Sequence, residues 1–232
     1  MQYKSQLTRY KSLGLKLTVA LTLTVLTLVG SSQTVLAHHP TGGKTPSNVF
    51  EALLSGFGHP IIGLDHLAFV IASGLLATQL RRGWIIPVGF VLTAMLGTGL
   101  HLQAVTLPMA ELSIALSVIV AGGLIASESQ SQSSDSSFSQ SFGLTLAVAI
   151  AAAVAGLFHG YAYGEAIIGA EMGPMLAYLT GFTFIQLVIA AGTYALVQVT
   201  LFSSQYRRAI LRALGLAISS FGLVVLGTGL FS

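Results

Sequence analysis

The sequence holds no cysteine in 232 residues, which excludes disulfides, thiolate zinc sites and thiolate-held iron–sulfur clusters. Any metal bound by this chain must be held through nitrogen and oxygen. Charge is almost as scarce. Only 7% of residues are Asp, Glu, Lys or Arg, against about 25% in an ordinary soluble domain. With 53% hydrophobic residues, this composition is not that of a soluble globular protein. The basic residues fall in short groups, not along one face, and the formal charge is only +3, so nucleic acid is excluded as a partner. No GxxxxGK[ST] stretch occurs, so the phosphate cradle of a P-loop is missing.

What the chain has instead is a succession of apolar runs. Residues 1–37 read as a signal peptide, with Lys4, Arg9, Lys11 and Lys16 as a basic start, 17–30 as the apolar stretch and Val35-Leu36-Ala37 before the cleavage point. An uncleaved first helix is the alternative, and both readings put the following residues outside the cytoplasm. Ser47 or Asn48 is placed to cap a short helix ending at Phe57, with Glu51 in its first turn. Six segments of about 20 residues, the length that spans a bilayer, then follow at 61–80, 84–102, 108–126, 142–161, 174–199 and 209–231. The Ser/Gln-rich stretch 127–141 is expected to be a flexible cytoplasmic loop. The expected fold is all-α: one polytopic membrane bundle over 38–232, its first helix broken near Gly58, Pro60 and Gly63.

Basic residues test the orientation. Arg81 and Arg82 lie between the first two spans, and Arg207, Arg208 and Arg212 between the last two. Alternating spans from an outside start put both groups in the cytoplasm, as the positive-inside rule requires. All six histidines then fall on the extracytoplasmic side or in the outer half of the bilayer.

Three ionisable residues interrupt the first apolar run, GFGHPIIGLDHLAFVIASG: His59, Asp65 and His66. Such residues cost roughly 2.5–3.5 kcal/mol each at membrane depth, so a job for them is the default hypothesis. Two imidazoles and a carboxylate suit a borderline divalent transition metal. On a regular helix His59 and His66 would stand about 10.5 Å apart along the axis, too far to share one ion, and Asp65 would point elsewhere. Only a broken helix unites them. A second group, His159 followed by Glu165, stands among glycines 156, 160 and 164, whose spacing of four lines one helix face for close packing. His38 and His39 would start the mature chain and could capture a metal outside, or could be a solvated tail. His101, Glu111 and Glu171 are weaker candidates, and Gln186 reads as a structural residue bonding between helices.

The string His59-Pro60-Ile61-Ile62-Gly63-Leu64-Asp65-His66 resembles the HPxxGxDH signature of the HupE/UreJ family of bacterial nickel and cobalt permeases. The likeness covers nearly the whole mature chain. It departs at the second motif, where Tyr163 occupies the position of a second histidine and Glu165 comes one residue early. A phenol is a far weaker ligand than an imidazole at neutral pH. The resemblance implies no enzyme but a secondary transporter in the bacterial inner membrane, its mature N-terminus extracytoplasmic. Nickel would be the ion taken up, cobalt the second choice. His38, His39, His59, Asp65, His66, His159 and Glu165 are the expected ligands, the partners being the metal ion and the lipid bilayer. A homo-oligomer and the recipient metalloenzyme are left open. Two other readings compete: a membrane electron-transfer subunit with haem on intramembrane histidines, and a metal-binding accessory or sensor without transport.

Overall fold

A computed structural model describes residues 45–128, 138–201 and 206–231, and every regular element in them is helical. The expected signal segment, His38 and His39 lie outside the described residues. So does 129–137; the flanking parts of the Ser-rich stretch, expected as loop, extend the helices on either side of it. The elements are α1 (Val49–Ile62), α2 (Leu64–Ala77), α3 (Ile85–Leu102), α4 (Ala110–Glu128), α5 (Phe138–Gly164), a single 3-10 turn (Glu165–Ile167), α6 (Met172–Leu201) and α7 (Arg207–Phe231). Helices α3 to α7 are each long and apolar enough to cross a membrane, and α1 with α2 passes the same test as one span bent by 78°. The described residues thus hold five spans, or six if the bent pair counts as one, against the six segments expected, and the first is built from two short helices instead of one run over 61–80.

The start of α1 is fixed by side chains. Asn48 Oδ1 accepts the Glu51 N–H at 2.9 Å, while Glu51 Oε2 accepts the Ser47 N–H at 2.8 Å, a reciprocal cap that satisfies otherwise orphaned donors. The helix does not stop near Phe57, as the sequence suggested. It runs on to Ile62 and carries His59 and Pro60 in its last turns. Proline has no N–H to give the carbonyl four residues back, which weakens this end without ending it. Of the three expected breaking residues only Gly63 breaks the chain, in an extended conformation (φ −71°, ψ 96°); Gly58 and Pro60 stay inside α1.

Close helix pairs build the rest. α3 lies along α5, α4 along α7, and α6 along both α1 and α2. The glycine row on α5 faces α3: a Cβ at Gly156 or Gly160 would overlap the carbonyl oxygen of Phe90 or Ala94. Thr98 Oγ1 bonds the Gly160 carbonyl at 2.7 Å across the same contact. Ser219 Oγ on α7 donates to the Ile119 carbonyl of α4 at 2.6 Å. The string LGTGL occurs at 96–100 and again at 226–230; Gly97 in the first copy packs on Leu157, whereas Gly227 in the second faces open space. At the Thr78 end of α2, the Arg207 guanidinium donates to the Thr78 carbonyl at 3.0 Å, a cation at a helix C-terminus.

Candidate functional site

The bend at Gly63 does what a regular helix could not. It folds α2 back against the end of α1, so the His59 and His66 rings lie 5.9 Å apart between centroids. A glycine is required there, because a Cβ on Gly63 would press into the His66 ring at 2.6 Å from Cδ2. The same bend brings in Asp65, which a regular helix would point elsewhere. Restarting the helix at Leu64 turns its carboxylate inward, where it is 6% exposed. Asp65 Oδ1 accepts the His66 N–H at 2.8 Å and stands 4.0 Å from His66 Nδ1.

His159 reaches this cluster from α5 and is fully buried. Its Nδ1 lies 2.8 Å from His66 Nδ1, and its Nε2 lies 2.9 Å from Ser117 Oγ on α4. The donor roles follow from a fixed point. Ser117 spends its one hydroxyl proton on the Ile114 carbonyl at 2.7 Å, which can only accept. Ser117 Oγ must therefore accept from His159 Nε2–H. His159 Nδ1 is then the lone-pair nitrogen and accepts from His66 Nδ1–H, leaving the His66 lone pair on Nε2. A second relay orders His59. Tyr178 OH donates to the Tyr163 carbonyl at 2.9 Å, so at 2.7 Å it accepts from His59 Nδ1–H and puts that ring's lone pair on Nε2. Two backbone carbonyls thus set three imidazole tautomers, those of His159 and His66 through the Ser117 hydroxyl and that of His59 through the Tyr178 hydroxyl.

Aromatic rings wall the group. Tyr163 is fully buried with its ring 5.0 Å from His59 and 4.6 Å from His66, and its hydroxyl has no hydrogen-bond partner. Phe69 and Phe90 stack at 4.7 Å on each other and at 4.9 and 5.3 Å on His159, closing the side of the cluster that faces the apolar core of Val70, Leu76, Ile125 and Val148.

Not every expected residue arrives. Glu165 is exposed in the 3-10 turn and does not join the buried cluster. His101 is set apart against Tyr161, at 4.3 Å, and Glu111 and Glu171 are exposed. Among the described residues no three His, Asp or Glu side chains form a ready-made metal-holding group. What is assembled is a set of pairs, His59 with His66 and His66 with His159. Gln186, expected to bond between helices, donates instead to the Phe182 carbonyl of its own helix at 3.0 Å. Tyr163 was noted only as standing at the position of a second histidine, and Ser117 and Tyr178 were missed altogether. Their only trace in the sequence is a hydroxyl group inside an apolar span, and many such hydroxyls merely bond their own helix, as Thr180 does.

Comparison with known proteins identifies the family of the chain. The pattern of the HupE / UreJ protein family matches residues 26–225. "Protein HupE" of Rhizobium leguminosarum bv. viciae is 39% identical over 80 residues, 34% of this chain and 42% of that protein. The matched part therefore spans less than half the length of this relative. No solved structure matches. With its succession of apolar spans, this multi-pass membrane chain belongs to the HupE/UreJ family.

Proposed function

We propose that this protein is a secondary transporter that takes up a divalent transition-metal ion, nickel first and cobalt second, through the His59–Asp65–His66–His159 cluster. The observation that carries the proposal is the buried trio of imidazoles drawn from both sides of a broken span, with Asp65 beside them. A packing role would not require three rings and a carboxylate in one apolar interior, given the cost of each at membrane depth. In this reading the membrane is the bacterial inner membrane, the Asn48 end of α1 faces outward, and the Arg81, Arg82 and Arg207 side is cytoplasmic. His38, His39 and the exposed Glu165 would meet the ion first.

The mechanism follows from the tautomers. Nε2 of His59 and Nε2 of His66 offer lone pairs, and the Asp65 carboxylate adds an oxygen, a donor set suited to a borderline cation. His159, with both ring nitrogens engaged, holds the His66 ring in orientation; such outer partners are worth 10- to 100-fold in metal affinity or activity. Dispersed pairs, not a preformed group, fit a cargo that must leave again. The aromatic stack of Phe69 and Phe90 would have to move before the ion passes inward.

The haem alternative needs imidazoles facing each other across a flat macrocycle. His66 and His159 are bonded to each other instead, which gives that reading no support. The deciding experiment is elemental analysis of cells expressing the chain or its His66→Ala variant at equal membrane levels. Saturable, His66-dependent accumulation is the expected result. Equal accumulation in both overturns the proposal, and binding without accumulation would point to the accessory or sensor reading.

A further inference from the structure

Helix α6 buries Tyr178, Phe182, Gln186 and Ala190 along one face at intervals of four. Three of these have clear partners. Tyr178 orders His59, the Phe182 ring lies 5.2 Å from Tyr163, and the Ala190 backbone meets α2 at Gly74. Gln186 falls between them, one turn (about 6 Å) beyond Phe182 in the direction of α2. It is completely buried. Its Nε2 donates to the Phe182 carbonyl, which fixes the amide orientation, and its Oε1 then has no hydrogen-bond partner. A buried acceptor without a donor is destabilising, and a leucine or methionine at this position would avoid that cost. The fold thus keeps, on the face that α6 turns towards α1 and α2, a buried amide oxygen with no hydrogen-bond partner.

We propose that Gln186 Oε1 contacts the transported cation as a second station, taking it over from His59 and His66 on its way inward. The inference rests on the transporter reading above. A neutral amide oxygen holds a borderline cation less firmly than an imidazole, so it eases the ion out of the nitrogen site without trapping it. Tyr163, whose ring lies near both histidines and near Phe182, has a second unpartnered buried polar group in its hydroxyl.

The test compares initial rates of nickel uptake against nickel concentration in proteoliposomes holding the full chain, Gln186→Met, Gln186→Glu or His66→Ala, with thermal unfolding of each in detergent. Gln186→Met is expected to be as stable as the parent or more so, to keep its half-saturation concentration within about twofold, and to lose about tenfold or more in maximal rate. Gln186→Glu is expected to lower both half-saturation and maximal rate, because the added carboxylate holds the cation. A Gln186→Met protein with the parent's maximal rate beside an inactive His66→Ala overturns the second station and leaves the transporter reading standing. Loss of uptake together with loss of thermal stability in Gln186→Met assigns a structural role and also overturns it. Uptake by the parent no greater than by His66→Ala removes the transporter reading and this inference together.

Discussion

His66 Nδ1 and His159 Nδ1 stand 2.8 Å apart across residues 93 positions distant in the chain, and this bond joins the bent first span to α5. Ser117 sits behind it and decides which nitrogen carries the proton. Replacing that hydroxyl should therefore act on the metal without touching it. Ser117→Ala is expected to raise the half-saturation concentration for nickel uptake by about 10-fold or more, at unchanged membrane abundance. Saturation curves on the two proteins check this, and identical curves would remove the relay from the account.

Tyr178 has the corresponding position behind His59. Tyr178→Phe removes one hydroxyl and with it the bonds to His59 Nδ1 and to the Tyr163 carbonyl. The expected cost is about 1–3 kcal/mol of stability, read by thermal unfolding in detergent, together with weaker uptake. Full stability and full uptake in Tyr178→Phe would contradict it.

Gly63→Ala tests the bend. The added methyl meets the His66 ring, so either the ring or the backbone must shift. Overpacking of this kind costs about 1–3 kcal/mol, and uptake should fall even though no ligand has been changed. A Gly58→Ala control lies inside α1, away from the break, and should retain more activity.

Lowering the external pH should weaken uptake. The proposed ligands must offer lone pairs, and protons compete for the same imidazole nitrogens and carboxylate. Protonation rises as pH falls, so the sign is fixed: initial rates at sub-saturating nickel should drop between about pH 7 and about pH 5. Rates that rise over that interval would count against imidazole coordination.

The spans and the broken first helix were legible in the sequence, and so was the oddity of His59, Asp65, His66 and His159 in apolar runs, because apolar length and misplaced charge are local signals. The position of the break was less so. Gly58, Pro60 and Gly63 are all helix-weakening residues. Only packing, with α1 held along α6 through Gly56 and Gly181, selects Gly63 as the residue that yields. Glu165 illustrates the opposite error. Its closeness to His159 in sequence suggested a shared site, but α5 ends at Gly164 and the 3-10 turn leaves the carboxylate exposed. Ser117 and Tyr178 could not be read at all, since their roles depend on contacts 42 and 119 residues away.

The close packing of α3 on α5 has a consequence for motion. Those two helices interlock backbone to backbone at Gly156 and Gly160, and α6 is similarly interlocked with α1 at Gly56 and with α2 at Gly74. Each group is suited to travel as a stiff plank. His159 rides on the first plank, whereas His59 and His66 ride on the second, with Tyr178 travelling beside them. Sliding one plank past the other would part His159 from His66 without bending a helix, so in the proposed transport the seam that orients the His66 ring would also be the one that releases it.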